Sequence, residues 1–203
     1  MSDTPNGIIP VKLERWFCRN LEKITGSIAA TGITPNTITI LSLLLGLLAG
    51  LFLWHGRFGW ALVFGFFMAV ADVLDGQLAV LTNQKSRFGG ILDSTIDRYN
   101  EAFLLIGLGG HFYFSGQAAG IWVLALIMIG SFNVSYVKAR AEGAGMDCPV
   151  GLLQRSERLV LIAIGIIFRG WVLHIILLFL AVMTQVTVIQ RLLYVAKVDK
   201  IEV

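Results

Sequence analysis

The chain has 203 residues, of which 56% are hydrophobic and only 14% are charged, and its formal net charge is +3. Water-soluble domains have about 25% charged residues, so this composition excludes an ordinary soluble enzyme, and we expect no nucleic-acid partner. The apolar residues fall in runs near the roughly 20 residues that a helix needs to cross a bilayer. The sequence therefore predicts an all-α integral membrane protein.

Residues 8–32 precede the long apolar runs and predict an amphipathic helix. Its apolar side chains recur near helical spacing with basic residues between them. This apolar stripe consists of Val11, Trp16, Phe17, Leu21 and Ile24. A helix of this kind lies at the membrane surface against anionic headgroups. A cap that packs on the loops of the protein is the alternative interpretation.

Six apolar runs follow and predict a bundle of six transmembrane helices over residues 33–203, with residues 1–203 forming a single domain. The predicted spans cover about residues 37–54, 58–81, 88–114, 118–138, 157–169 and 171–192. The fifth span is short and the sixth follows almost at once, which predicts a tight helical hairpin.

The distribution of lysine and arginine predicts the orientation of these spans. When the faces are numbered alternately from the N-terminal segment, one face holds Lys12, Arg15, Arg19, Lys23, Lys85, Arg87, Lys138, Arg140, Arg155, Arg158, Arg191, Lys197 and Lys200. The other face holds Arg57 and Arg169. Because basic residues concentrate on the cytoplasmic side, we expect both termini to be cytoplasmic, in the cell (inner) membrane.

Four aspartates lie where the second and third predicted spans meet. Asp72 and Asp75 are three residues apart near the end of one helix, and Asp93 and Asp97 are four apart near the start of the next. Each pair therefore shares a helix face. The linker "LTNQKSRFGG" is short and polar enough to turn the chain back. We expect the two antiparallel helices to bring the four carboxylates together.

Four carboxylates at one depth repel one another, and each costs about 2.5–3.5 kcal/mol at the centre of a membrane helix. Arg98 is the only adjacent cation, and it follows Asp97 directly, so it points elsewhere on the helix. Oxygen ligands without His or Cys suit a hard divalent ion such as Mg²⁺ or Mn²⁺. Four carboxylates can hold two such ions, an arrangement that is common in phosphoryl chemistry.

Three glycines flank the carboxylates. Gly76 follows Asp75 directly, and Gly89 and Gly90 lie about one turn before Asp93. Because glycine has no side chain, a bulky ligand can approach its backbone closely, and this is our interpretation of Gly76 and Gly89. Gly90 is expected to serve helix packing, as small residues often do in membranes.

This pattern resembles the signature of the CDP-alcohol phosphotransferases, membrane enzymes that move a phosphatidyl or similar group from a cytidine-diphosphate-activated donor to an alcohol. The matching positions are Asp72, Asp75, Gly76, Ala79, Gly89, Asp93 and Asp97. The resemblance covers essentially the whole chain and implies a homodimer. The chain departs from the pattern at Val80, where the family usually has an arginine that helps to order the acidic site and the donor's phosphates.

The resemblance also implies roles for individual residues. Asp72, Asp75 and Asp93 would be the main metal ligands, and Asp97 would be a ligand or the general base that takes the proton from the acceptor hydroxyl. The implied contacts with the CDP donor are Asn36, Thr39, Asp72, Gly76, Ala79 and Gly89. An N-cap and turn in "TPNTIT" is the alternative explanation of the first two.

A basic cluster lies at the ends of the last three predicted spans. Arg155 and Arg158 are three residues apart on one face, and arginine forks suit phosphate oxygens, so we expect a phosphorylated acceptor. The segments "SYVKARAEG" and "LLQRSERLV" are similar to those of the prokaryotic phosphatidylinositol phosphate synthases. That likeness implies inositol phosphate as acceptor, with its phosphate held by Ser135, Lys138, Arg140, Arg155 and Arg191. Positive-inside topology is the alternative explanation of these charges.

Three other functions fit part of the pattern. Glycerol phosphate or serine would also suit a basic site, which would make the chain a phosphatidylglycerophosphate or phosphatidylserine synthase. A divalent-cation carrier would need an acidic path across the membrane, but after Glu101 the third span continues as "AFLLIGLGG". A catalytically silent homologue would bind metal without turnover, and Val80 is the residue that favours this alternative.

Overall fold

The computed structural model describes the backbone of residues 11–202 and the side chains of residues 19–199. Over that range the chain forms seven α-helices and no strand, which confirms the all-α prediction. The helices are α1 (Val11–Ala29), α2 (Pro35–Trp54), α3 (Phe58–Leu81), α4 (Arg87–Phe114), α5 (Ala118–Gly143), α6 (Arg155–Phe168) and α7 (Gly170–Glu202). α2 to α7 correspond in order to the six predicted spans.

Four of the described helices are long and apolar enough to cross a membrane: α2, α3, α5 and residues Gly170–Asp199 of α7. The other two predicted spans, α4 and α6, are not among these four helices, and the reason is different for each. α6 has 14 residues, which is about 21 Å of helix at 1.5 Å per residue, whereas the hydrocarbon core is about 30 Å thick. α4 has 28 residues, but it includes Asp93, Asp97, Arg98 and Glu101.

The helices divide into two compact units. Residues 11–116 form the N-terminal unit, which contains α1 to α4, and residues 117–202 form the C-terminal unit, which contains α5 to α7. In the N-terminal unit α2 packs against α3 and α4, and α1 packs against α3. In the C-terminal unit α7 packs against α5 and α6. The prediction of a single domain stays a prediction.

Glycines let α2 and α4 approach each other closely. A Cβ on Gly50 would collide with the carbonyl oxygen of Phe103, and a Cβ on Gly107 would collide with the carbonyl oxygen of Gly50. Both obstacles are backbone atoms, so no side-chain movement relieves them. Small residues at such contacts stabilise membrane helix pairs. These glycines therefore fix the distance from α2 to α4, the helix that contains Asp93 and Asp97.

α1 is docked on α3. Leu21 is buried in the same apolar cluster as Leu78, and Thr25 Oγ1 donates a hydrogen bond of 2.7 Å to Gln77 Oε1. Ile24, which belongs to the predicted apolar stripe, is exposed. The other stripe residues have side chains outside the described residues: Val11, Trp16 and Phe17. The described part of α1 therefore packs on the protein through Leu21 and leaves Ile24 uncovered.

α6 and α7 form the tight hairpin that the sequence predicted, because Arg169 alone separates them. Arg169 and Gly170 both have positive φ, 55° and 49°, and this backbone conformation reverses the chain within two residues. α5 packs on α7 at Gly130, where a Cβ would collide with Thr184 Oγ1. Close contact at a glycine is thus common to both units.

Candidate active site

Three carboxylates come together in the N-terminal unit. Asp72 on α3 and Asp93 and Asp97 on α4 are all partly buried, and one carboxylate oxygen of each lies within 4.8 Å of the other two. Asp93 and Asp97 are one helical turn apart, so both face α3. We call these three residues the carboxylate trio. The structure brings together three of the four aspartates that the sequence predicted to converge.

A divalent ion fits oxygens at this spacing. Mg²⁺ binds oxygen at about 2.0–2.1 Å, so that oxygens on one octahedral ion lie roughly 3–4 Å apart. Oxygens within 4.8 Å of one another reach that range by small side-chain rotations. Three carboxylates also leave positions open for water or for phosphate oxygens of a substrate. The trio therefore has the ligand chemistry that Mg²⁺ and Mn²⁺ require.

Asp75 has a different environment from the trio. Its carboxylate is buried, and Thr39 Oγ1 on α2 donates a hydrogen bond of 2.6 Å to its Oδ2. Asp75 lies one turn after Asp72 on α3, so it stands next to the trio without belonging to it. Its role as a metal ligand, and a second ion, stay predictions.

Arg98 turns away from the carboxylates along its own helix. Its guanidinium donates to the backbone carbonyl of Ser94, one turn earlier on α4. The sequence predicted this orientation from the position of Arg98 directly after Asp97. The Arg98 guanidinium is therefore directed along α4, as the sequence predicted.

Asn36 and Gly89 meet where α2 and α4 begin. A Cβ on Gly89 would lie 3.3 Å from Asn36 Oδ1 and 3.0 Å from Ser86 Oγ. The Gly89 N–H donates to Ser86 Oγ at 2.9 Å, and Ser86 is thereby the N-cap of α4. The N-cap of α2 is Thr34, so the capping explanation of Asn36 is wrong. Asn36 and Gly89 are therefore neighbours, and their contact with the donor nucleotide stays a prediction.

The other small residues of the pattern lie on open surface. Among the described residues, no atom lies within 4 Å of a Cβ built on Gly76 or on Gly90. For Gly90 the packing interpretation is therefore wrong in the described part of the chain. Gly76 has the open space beside the carboxylates that a ligand needs. Ala79 is partly buried on the same helix, and Val80 is 55% exposed.

The predicted acceptor residues belong to the C-terminal unit and differ in exposure. Lys138 and Arg140 are exposed near the end of α5, and Ser135 and Arg155 are partly buried. Lys138 Nζ lies 3.7 Å from a carboxylate oxygen of Glu142. Exposed pairs of this kind contribute at most about 1 kcal/mol, so the Lys138 ammonium is easily diverted to an anionic ligand.

Arg158 and Arg191 are buried and bind backbone carbonyls. Arg158 Nη1 donates to the carbonyl of Leu153 at 3.3 Å. Arg191 Nε donates to the carbonyl of Val150 at 2.9 Å, and its Nη1 donates to the carbonyl of Val134. Both arginines therefore hold the segment between α5 and α6 in place. Sequence reasoning missed this role, because charge and spacing do not distinguish a carbonyl from a phosphate as the partner.

Sequence reasoning also missed two buried polar residues in the N-terminal unit. Asn100 Nδ2 on α4 donates to Ser42 Oγ on α2 at 3.3 Å, and Ser42 Oγ donates to the carbonyl of Thr39 at 2.8 Å. A signal was present, because "RYNEAFLLIG" places an asparagine at the edge of an apolar run. Polar residues in membrane helices commonly mark a functional site.

A trio of carboxylates suited to a hard ion, on helices apolar enough for a membrane, is typical of metal-dependent membrane enzymes of phosphoryl transfer. A family model described as CDP-alcohol phosphatidyltransferase matches residues 32–189. The chain belongs to this family, as the spacing of its aspartates and glycines predicted.

Two curated relatives match along most of this chain. The phosphatidylinositol phosphate synthase of Mycobacteroides abscessus is 36% identical over 183 residues, which cover 87% of this chain and 83% of the relative. The archaetidylinositol phosphate synthase of Pyrococcus horikoshii is 40% identical over 181 residues, which cover 87% of this chain and 90% of the relative.

Solved structures of the phosphatidylinositol phosphate synthase of Mycobacterium tuberculosis have a similar fold. The structure with CDP-DAG bound has a TM-score of 0.80 and 28% identity, over 87% of this chain and 94% of that one. The structure in complex with manganese and citrate has a TM-score of 0.78 and 29% identity, over 85% of this chain and 87% of that one. The likeness thus includes a protein of this fold with manganese, one of the ions predicted for this chain.

Proposed function

We propose that this protein transfers a phosphatidyl or similar lipid phosphate group from a CDP-activated lipid to inositol phosphate and releases CMP. The carboxylate trio, in a chain that belongs to the CDP-alcohol phosphatidyltransferase family, is the observation on which this proposal depends. The names of the two curated relatives share inositol phosphate and differ in the lipid, phosphatidyl in one and archaetidyl in the other. Inositol phosphate is therefore the acceptor that the relatives support.

In this reaction the acceptor hydroxyl oxygen forms a bond to the lipid-linked phosphorus of the donor. The bond from that phosphorus to the oxygen of the leaving CMP breaks. Asp97 accepts the proton of the hydroxyl, which a carboxylate with two oxygens can do while one oxygen binds metal. Mg²⁺ or Mn²⁺, which the carboxylate trio would hold with Asp75 as a further ligand, would offset the negative charge of the diphosphate.

The donor binds next to the trio in the N-terminal unit. Open space at Gly76 and the contact between Asn36 and Gly89 support this placement. The residues that we assign to the donor are Asn36, Thr39, Asp72, Gly76, Ala79 and Gly89. Because the Thr39 hydroxyl binds Asp75, its contribution is to orient that carboxylate as well as to line the donor site.

The acceptor phosphate binds basic residues of the C-terminal unit. Lys138 and Arg140 are exposed and Arg155 is partly buried, which supports direct contact with an anionic ligand. Ser135, one turn before Lys138 on α5, adds a hydroxyl to this set. Arg158 and Arg191 contribute charge and, through their carbonyl contacts, fix the segment that precedes Arg155.

The chain spans the membrane six times as a homodimer in the cell membrane, with both termini and the active site in the cytoplasm. The concentration of lysine and arginine on one face supports this topology. α4 is about 42 Å long at 1.5 Å per residue, which is enough to cross. The short α6 requires local thinning of the bilayer, which costs fractions of a kcal/mol per ångström. The family resemblance supports the dimer.

The test is CMP release by the purified protein with CDP-diacylglycerol and Mg²⁺ or Mn²⁺. Four acceptors are offered separately: inositol phosphate, inositol, glycerol phosphate and serine. We expect release with inositol phosphate alone, and inositol is the matched control for the phosphate. Release with glycerol phosphate or serine instead would change the assigned acceptor. No release in protein that binds both Mn²⁺ and CDP-diacylglycerol would favour an unusual acceptor or a catalytically silent homologue.

A further inference from the structure

A column of buried polar side chains runs through the N-terminal unit from α3 across α2 to α4. We call it the polar column, and its members are Asp75 (5% exposed), Thr39 (3%), Ser42 (1%) and Asn100 (0%). Three of its members lie in helices that are otherwise apolar enough to cross a membrane. Burying polar groups there costs free energy unless they are hydrogen-bonded, so the column needs an explanation beyond packing.

Hydrogen bonds connect the members in order. Thr39 Oγ1 donates to Asp75 Oδ2 at 2.6 Å, Ser42 Oγ donates to the carbonyl of Thr39 at 2.8 Å, and Asn100 Nδ2 donates to Ser42 Oγ at 3.3 Å. Each of the three helices contributes at least one member. The column therefore ties α3 to α4 through α2, at the level where α3 and α4 hold the carboxylate trio.

The ends of the column lie next to the trio in sequence and on the same helices. Asp75 follows Asp72 by three residues, and Asn100 follows Asp97 by three residues. Before a cation binds, the trio's carboxylates repel one another and favour separation of α3 from α4. A hydrogen-bonded link one turn from the carboxylates on each helix opposes that separation.

The Asn100 side chain is held in one orientation, and an asparagine at this position lowers the free energy of unfolding. Its amide lies against Gly46, where a Cβ would collide with the Oδ1 atom. Among the described residues that Oδ1 has no hydrogen-bond partner, and a buried unsatisfied oxygen costs about 1–3 kcal/mol. Leucine would fill the same position at lower cost. Buried polar groups that lower stability are typical of functional sites.

We propose that Thr39, Ser42 and Asn100 are positioning residues that set the distance between the trio's carboxylate on α3 and its two carboxylates on α4. These three residues thereby raise the affinity of the trio for Mg²⁺ or Mn²⁺ without touching the ion. This inference rests on the proposed function only in taking a divalent ion as the ligand of the trio.

The test measures Mn²⁺ affinity by electron paramagnetic resonance on the purified full-length chain in detergent. The variants are Asn100→Leu, Ser42→Ala and the two combined. Removing a hydrogen-bond partner behind a metal site lowers metal affinity by 10- to 100-fold in other proteins, so we expect each single change to weaken Mn²⁺ binding about tenfold. We expect the Mn²⁺ affinity of the double variant to equal that of whichever single variant binds Mn²⁺ less tightly, because both changes interrupt the same column.

The matched control is Ser131→Ala on α5. Ser131 is fully buried and, among the described residues, its hydroxyl has no partner, but it lies in the C-terminal unit. We expect this variant to bind Mn²⁺ like the unsubstituted chain. Thermal unfolding of every variant is measured in parallel, since a purely structural role would shift the unfolding temperature and leave Mn²⁺ affinity unchanged.

Mn²⁺ affinity within twofold of the unsubstituted value in both single variants would overturn the proposal. The proposal would also be overturned if the losses of Mn²⁺ affinity in the two single variants multiplied in the double variant, or if Ser131→Ala lost as much Mn²⁺ affinity as they do. If Asn100→Leu fails to fold, Ser42→Ala, which removes a single oxygen, decides the question by itself. CMP release by the unsubstituted chain tests the proposed function separately, because Mn²⁺ affinity is read without any substrate.

Discussion

The aspartates of the trio differ in their proposed roles, since Asp97 accepts a proton in addition to binding metal. Asp97→Asn keeps an oxygen ligand and the shape of the side chain but cannot accept a proton at neutral pH. We expect CMP release with inositol phosphate to fall by at least about a hundredfold, the usual contribution of a general base. Helix content is expected to stay close to that of the unsubstituted chain, and Mn²⁺ affinity is expected to fall less than in Asp93→Asn, because the family resemblance makes Asp93 a main metal ligand and Asp97 a ligand or the base.

Asp93→Asn is the matched variant, because it makes the same chemical change at the other α4 member of the trio. We expect it to weaken Mn²⁺ binding, so that added Mn²⁺ restores part of its activity. Added Mn²⁺ is expected to restore none in Asp97→Asn. Turnover near the unsubstituted rate in Asp97→Asn would show that another group accepts the proton.

Val80 stands where the family usually has an arginine, and its environment permits the larger side chain. The residue is 55% exposed on α3, so Val80→Arg displaces no packed neighbour. We expect unchanged thermal unfolding and CMP release that rises by roughly tenfold at low donor concentration, because a guanidinium near the diphosphate stabilises its charge. Val80→Gln adds length without charge and is expected to leave the rate unchanged. Loss of folding in Val80→Arg would mean that lipid or a partner helix covers this valine.

Sequence reasoning was sound for residues whose chemistry is set by spacing along one helix. The pairs Asp72–Asp75 and Asp93–Asp97 follow from helical periodicity, and so does the orientation of Arg98. The hydrogen bond from Thr39 to Asp75 joins two helices, and no local pattern specifies which residues of two helices face each other. For the same reason the carbonyl contacts of Arg158 and Arg191 became visible only in the structure.

Among the helices, the contact of α2 with α4 is the one most sensitive to added volume. In Gly107→Ala the new methyl group would collide with the backbone of Gly50, so the two helices would have to separate. We expect a lower unfolding temperature and weaker Mn²⁺ binding, since α4 contains two members of the trio. Gly65→Ala on α3 is the control, because no described atom lies within 4 Å of a Cβ at that position. Equal stability of the two variants would show that the helices are not held by this contact.

Helix positions were predictable because long apolar runs bounded by turns leave few alternatives. α2 and α3 match their predicted spans within two residues at each end. α7 extends beyond residue 192 to Glu202, because Lys197, Asp199, Lys200 and Glu202 interrupt the apolar run without ending the helix. Hydropathy identifies the part of a helix that lipid can surround, and it does not identify where the hydrogen-bonded helix ends.

For the molecule as a whole, the number of membrane crossings is the property on which the position of the site depends. Crossing by α2, α3, α5 and α7 agrees with their length and composition. Crossing by α4 depends on its length and on the charge distribution of the chain, because Asp93 and Asp97 lie in its first half and Glu101 lies near its middle. If α4 failed to cross, the segment between α5 and α6 would lie on the opposite side from the segment between α3 and α4.

Cysteine labelling in intact cells with a membrane-impermeant maleimide distinguishes six crossings from four. The native cysteines do not interfere, because Cys18 is changed to serine and Cys148 is buried. One cysteine at a time then replaces an exposed residue: Lys85, Ser115, Asp147 or Phe168. With six crossings, the cysteines at 115 and 168 are labelled from outside, and those at 85 and 147 only after permeabilisation. With four crossings, the cysteine at 115 is protected and the one at 147 is labelled from outside. That result would place the proposed acceptor residues near Asp147 outside the cell, away from a cytoplasmic pool of inositol phosphate, and would contradict the assigned acceptor site along with the topology.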